Sequence, residues 1–177
     1  MIEVGDVSEC RKKVEEDTRK IWEKISAAAQ RRSPEDVLEV AVAGLASLRR
    51  EIYEELNQIQ HEFAILRALE WYLERSAVPI DVVWLWNPRA TGGITEPDLA
   101  GRSSGKVFVS AEITTSHHPQ GIIGQRMSKT LAKLAAMQGQ LFYFVNTPAM
   151  AQAARSRVAR AAYNIKVVDL SEKRGLA

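Results

Sequence analysis

The spacing of apolar residues divides this chain of 177 residues into a helical first part and a second part that mixes strands with helices. Between residues 34 and 75, apolar side chains recur every three or four positions, which is the period of one face of an α-helix. Residues 7–32 show a similar spacing amid dense charge, which is typical of an amphipathic helix. Pro79 ends this pattern. Two consecutive helices are therefore predicted, paired as a hairpin.

The segment SPEDV marks the start of the second predicted helix. Ser33 is a good N-cap, Pro34 suits the first helical position, and Asp36 stands at the third position of a capping box. An unbroken helix from there would be roughly 60 Å long at about 1.5 Å per residue. We expect its first half to pack on the first helix, and the hairpin to pack on a second copy of the chain as a homodimer. A kink near Gly44 or within residues 51–57 is the alternative.

After Pro79 the apolar period becomes that of β-strands, interrupted by two helical segments. Strands are predicted at 80–86, 95–101, 106–115, 140–146 and 165–170, and helices at 121–137 and 147–163. Short turns join the first three strands, which favours an antiparallel meander, whereas helices join the last three, which favours parallel strands in right-handed crossovers. The pattern predicts an α/β domain with a mixed central sheet at residues 55–177, preceded by an α-helical hairpin at residues 1–54.

Charge is distributed unevenly, although the net charge is only +2. Residues 121–177 carry nine basic and two acidic side chains, a balance that attracts phosphate backbones. An ordinary solvated helix face explains the same charges equally well. A nucleic-acid partner is therefore one expectation from composition, not the only one.

The composition also excludes several classes of protein. No apolar run approaches the roughly 20 residues that cross a bilayer, and the N-terminus lacks the apolar core of a signal peptide. The single cysteine, Cys10, excludes an internal disulfide and a cysteine-built zinc site. We expect a cytoplasmic protein without a membrane partner. The motifs of P-loop, dinucleotide-binding, serine-hydrolase and zinc-protease sites are missing from the sequence.

Two carboxylates, Asp98 and Glu112, lie on the second and third predicted strands, on either side of the turn-rich segment GRSSG. Hard oxygen ligands of this kind hold Mg²⁺, with water and phosphate completing the coordination. A turn centred near Ser103 places Asp98 across from residues 108–110. Glu112 is then somewhat offset from Asp98, unless the strands splay or a bulge near Gly101 shifts the register. An ordinary hairpin that happens to carry two acidic residues is the alternative.

Pro97-Asp98, followed by Glu112-Ile113-Thr114, resembles the motif of the PD-(D/E)XK nuclease superfamily, the restriction-endonuclease-like fold. The resemblance covers about residues 55–170 and extends to the order of the elements, since the family core is αβββαβ. It implies a metal-dependent endonuclease that hydrolyses phosphodiester bonds in DNA.

The family also implies roles for particular residues. Asp98 and Glu112 would hold Mg²⁺ or Mn²⁺, and Glu62 on the helix before the first strand would assist the metal through water. The family lysine is replaced by Thr114, which can hold a water molecule but supplies no charge. We expect Lys129 on the following helix to replace it.

Arg126 and Lys106 are further candidates for the missing cation. A site without such a cation would be slow or inactive. The alternative function is therefore a catalytically inactive member of the fold that binds nucleic acid or a protein. A helical-hairpin scaffold with an incidental α/β cap is a third possibility, and it would form a dimer that ignores metal and DNA.

Overall fold

The computed structural model describes residues 2–4, 7–31, 37–87 and 96–171. The predicted helix start at Ser33, Pro34 and Asp36 lies outside these residues. The elements, in chain order, are β1 (Ile2–Val4), α1 (Val7–Gln30), α2 (Leu38–Arg75), β2 (Val83–Trp86), β3 (Leu99–Ser103), β4 (Lys106–Thr114), α3 (Ile122–Ala135), β5 (Gln140–Val145), α4 (Pro148–Arg160) and β6 (Ile165–Asp169).

The six strands form one mixed sheet in the order β1-β2-β3-β4-β5-β6. Neighbouring strands from β1 to β4 are antiparallel, and β4, β5 and β6 are parallel. The predicted meander and the predicted helical crossovers are therefore confirmed, as is the α/β class. Strand β1 was not predicted, because three residues are too few to show a period. Within the described ranges, no helix is long and apolar enough to cross a membrane.

Helices α1 and α2 form the predicted hairpin, and α2 is one continuous helix of 38 residues. Ion pairs between the two helices, including Lys13 with Glu62 and Lys24 with Glu55, fix their antiparallel alignment. The boundary expected between residues 54 and 55 falls inside α2. Cys10 of α1 also lies in the same apolar core as the sheet, so the hairpin and the sheet share packing.

Two apolar cores lie on opposite faces of the sheet. On one face α2 packs Ile65, Leu69 and Tyr72 against the aromatic side chains of the strands, including Trp84. On the other face α3 and α4 pack against β5 and β6; the buried members of that core are Met127, Leu131, Leu134, Tyr143, Val145, Met150, Ala151, Ala154 and Ile165. Each face of β4 is therefore covered by helix, and residues 109–113 of this strand are buried.

Candidate functional site

The register of β3 and β4 brings Asp98 opposite Glu112. Leu99 pairs with Ala111; Asp98 directly precedes Leu99, and Glu112 directly follows Ala111 on β4. Residues that face each other across an antiparallel pair project their side chains to the same face of the sheet. Two acidic groups that are fourteen residues apart in the chain therefore meet at one end of the hairpin.

A β-bulge makes this register possible. The pairing shifts between Gly101 and Arg102, so one residue of β4 has no partner on β3. A Cβ atom at Gly101 would lie 2.6 Å from the ring of Phe108, which explains the glycine. Of the two alternatives, splayed strands or a bulge near Gly101, the structure has the bulge. The turn lies one to two residues after the centre expected near Ser103. The turn residues are Ser104 and Gly105, with φ values of 49° and 75°, as a two-residue hairpin turn requires.

Asp98 is buried, with 8% of its surface exposed, and is held by the backbone of the neighbouring strand. The Ile113 N–H donates to Asp98 Oδ2 over 2.8 Å. His61 of α2 places its Nε2 atom 3.4 Å from the same oxygen, a distance at which a protonated imidazole makes an ion pair. The carboxylate is therefore fixed in direction from two sides, by a strand and by a helix.

Glu112 is buried as deeply, at 6% exposure, and burial raises its pKa to about 7, with repulsion from Asp98 acting in the same direction. Lys133 of α3 opposes this rise: its Nζ atom lies 2.7 Å from Glu112 Oε1. This ion pair offsets only part of the rise, because the pKa of Glu112 remains well above its ordinary value. Glu112 is consequently a carboxylate whose charged form is incompletely compensated.

Glu62 is fully buried on α2 but is engaged elsewhere. Its Oε1 atom accepts hydrogen bonds from Lys13 Nζ at 2.9 Å and Gln58 Nε2 at 3.1 Å, while Oε2 has no partner among the described residues. In the described part of the chain, no three His, Cys, Asp or Glu side chains are positioned to hold one metal ion. The arrangement therefore unites Asp98 with Glu112 and leaves Glu62 in its ion pair with Lys13.

Thr114 lies two residues after Glu112 on β4, at the mouth of a small cavity. It shares a hydrogen bond with Tyr143 of β5, whose pKa is raised because the phenol is buried. The cavity has a volume of about 180 Å³ and is also lined by Arg126 of α3. A space of this size between a carboxylate, a hydroxyl and a guanidinium can admit one small anionic group.

The positions of the candidate cations differ from the expectation. Lys129 is exposed on α3, and Lys133, one turn later on the same helix, makes the contact with Glu112. Arg126 borders the cavity. Lys106 begins β4, six residues before Glu112, and is therefore about 20 Å away at roughly 3.3 Å per residue. Helical spacing marks Lys133 as a member of the same face as Lys129, but it does not indicate which of them reaches β4.

The donor set suits a hard divalent cation. Asp98 and Glu112 together offer carboxylate oxygens, of which Glu112 Oε1 already lies 2.7 Å from the ammonium group of Lys133. Mg²⁺ is commonly held by one or two carboxylates, with water and substrate phosphate at its other positions. A cation between the two groups would also relieve the repulsion that raises the pKa of Glu112. The pair therefore fits a Mg²⁺ or Mn²⁺ ion.

Comparisons of the chain with protein-family models, with curated proteins and with solved structures find no match.

Proposed function

We propose that this protein is a metal-dependent endonuclease that hydrolyses phosphodiester bonds in DNA, on a core of the restriction-endonuclease type. The observation that carries the proposal is the buried pair of Asp98 and Glu112, of which Glu112 also lines a small cavity. The pair is costly in the absence of a cation, since like charges in a buried site repel. Such a cost is common where a bound ion or substrate compensates it.

In this proposal the chain's own groups bind and orient. Asp98 and Glu112 hold Mg²⁺ or Mn²⁺, which when bound supplies a water of lowered pKa and screens the charge of the phosphate. Lys133 takes the part of the missing motif lysine and stabilises negative charge that develops at the phosphate. Thr114 and Tyr143 orient a water molecule at the cavity through their hydroxyl groups. Glu62 acts only indirectly, by holding Lys13.

DNA is the proposed partner because α3 and α4, which cover the face of the sheet to which Glu112 projects, carry arginine side chains. Arg126 lines the cavity and Arg157 of α4 binds the hydroxyl of Ser128 on α3, so both helices present guanidinium groups on the side of Glu112. Contacts of this kind to phosphate position a nucleic acid without reading its sequence. Binding is therefore expected to weaken steeply as salt concentration rises.

A catalytically inactive binding module is the second candidate. It is favoured by the ion pairs of Glu112 with Lys133 and of Glu62 with Lys13, since each places a lysine against the acidic group without any metal. A protein of this kind would bind DNA with the same salt dependence and would not require a divalent cation. The two candidates differ in their need for metal.

The test is nicking of supercoiled plasmid in Mg²⁺ or Mn²⁺, with metal binding measured by calorimetry. Asp98→Asn and Glu112→Gln are expected to lose cleavage, and the cleavage rate of Lys133→Ala is expected to fall about a hundredfold. Lys129→Ala is the matched control, because this exposed lysine lies one turn away on the same helix, and it should cleave normally. Restoring the motif lysine with Thr114→Lys in the Lys133→Ala background should recover part of the activity.

Metal-independent DNA binding by the wild type, with no cleavage, would reject the nuclease and support the binding module. Equal losses in Lys129→Ala and Lys133→Ala would reject the assigned cation. If the wild type binds neither metal nor DNA, both candidate functions are wrong.

A further inference from the structure

Exposed apolar side chains are concentrated at the start of α2. Twelve large apolar residues are exposed in the described ranges, and five of these fall within nine consecutive positions. The five are Val37, Leu38, Val40, Val42 and Leu45. Each exposes more than half of its surface, with Leu38 at 74% and Leu45 at 64%. Clusters of this kind on a soluble protein mark a surface that is covered by a partner.

This part of α2 extends beyond its partner helix. Lys24 of α1 is level with Glu55 of α2, and α1 ends six residues later at Gln30, which corresponds to about residue 49 of α2. Residues 38–48 therefore project past the end of α1 by about 16 Å at 1.5 Å per residue. A helix segment that is apolar on all sides is ordinarily buried. Here none of its large apolar side chains is buried by the described chain.

The charges on either side of this segment are complementary to those of a second α2 helix that runs in the opposite direction. Residues 40–48 carry no charge; Glu39 precedes them, and Arg49 and Arg50 follow. In an antiparallel pair of α2 helices that cross at Gly44, Glu39 of each copy lies beside Arg49 and Arg50 of the other. A parallel pair would instead place like charges side by side, which is destabilising.

Gly44 and its neighbours permit a close crossing of two helices. A Cβ atom at Gly44 would meet nothing within 4 Å, so this face of the helix is open. Small side chains at Ala43 and Ala46 keep the backbone accessible around it. The exposed apolar side chains, the projection of α2 beyond α1 and the charge pattern all fit a second copy of the same helix.

We propose that two copies of this chain form an antiparallel dimer through residues 38–50 of α2, with the crossing at Gly44. The contact is symmetric: Val42 and Leu45 of each copy cover those of the other, and Glu39 pairs with the arginines across the axis. The proposal does not depend on the nuclease function, and its test has no activity readout.

The experiment is sedimentation equilibrium of the full chain. The wild type is expected at twice its mass of 19.7 kDa, and Leu45→Glu at the monomer mass, because a carboxylate at the crossing must be desolvated. Ile80→Glu is the matched control, since Ile80 is a fully exposed apolar residue in the loop after α2. It should remain dimeric. Circular dichroism verifies that each variant keeps its helix content.

Charge reversal tests the orientation. Glu39→Arg alone, and Arg49→Glu with Arg50→Glu, are each expected to weaken dimerisation by about tenfold or more. The three changes combined should restore wild-type affinity, because opposite charges again face each other. A monomeric wild type, a dimeric Leu45→Glu variant, or reversals without effect would each overturn the proposal.

Discussion

Replacing Glu112 by Gln offers the sharpest test of the buried carboxylate pair, and its effect on stability depends on pH. The substitution keeps the shape of the side chain and removes its charge. In the wild type, burial and the neighbouring Asp98 raise the pKa of Glu112 from 4.5 to about 7. A carboxyl group with a higher pKa in the folded state takes up protons on folding between these two values. The free energy of unfolding therefore falls as pH rises through this window.

The size of the effect follows from the shift in pKa. Each pKa unit corresponds to about 1.4 kcal/mol, so the shift of Glu112 costs the wild type about 3 kcal/mol above pH 7. Below pH 4.5 the group is protonated in both states and the cost disappears. Glu112→Gln lacks this titration. As pH rises from 4.5 to 8, the free energy of unfolding of the variant should therefore increase by about 3 kcal/mol relative to that of the wild type.

The assay is urea unfolding of both proteins at several pH values without divalent cations, with Glu54→Gln as the control because Glu54 is exposed on α2. When the free energy of unfolding is plotted against pH, the curve for Glu54→Gln should run parallel to that of the wild type. If the Glu112→Gln curve is parallel as well, Glu112 ionises normally and the reasoning about the buried pair is refuted. Adding Mg²⁺ at pH 8 should stabilise the wild type but not Glu112→Gln, since binding to the folded state alone raises the free energy of unfolding.

Four further substitutions test the fold by thermal or urea unfolding. Gly139→Ala should lower the free energy of unfolding by about 2 kcal/mol or more, because its φ is +82° and the new Cβ would lie 2.4 Å from the Phe108 carbonyl carbon. Gly105→Ala, at φ +75° in open space, should lower it by only about 1 kcal/mol. Equal losses in the two variants would contradict the close approach at Gly139. Thr147→Ala removes the side chain that accepts a backbone N–H in the first turn of α4 and should cost about 1 kcal/mol; an unchanged midpoint would show that the cap is dispensable. Ile65→Ala empties a fully buried position and should cost about 2–5 kcal/mol, so a loss below 1 kcal/mol would mean that α2 does not pack as described.

The helices and strands were predictable because their signals are local. The three- and four-residue spacing predicted α2, and alternation with turn residues predicted β2 to β6. Local patterns also located Glu112 on β4 and Asp98 within one residue of the start of β3. They did not locate β1, which is stabilised by pairing with Trp84–Trp86 and has no period of its own.

The position of the turn between β3 and β4 could not be predicted from the local sequence. Several residues of GRSSG suit a turn, so the sequence allows more than one hairpin register. Asp81, from the loop before β2, accepts hydrogen bonds from both Ser103 and Ser104. Contacts across more than twenty residues thus favour one register over its neighbours.

The sequence by itself determined the order of the elements and the pair of carboxylates, because both follow from side-chain types within a few residues of each other. Only the tertiary structure decided that Lys133, and not Lys129, reaches Glu112, and that His61 lies beside Asp98. Those outcomes depend on the positions of α3 and α2 along the sheet. The packing of their apolar faces on the sheet sets these positions. The raised pKa of Glu112 has the same origin, since it arises from burial and from a charge fourteen residues away in the chain.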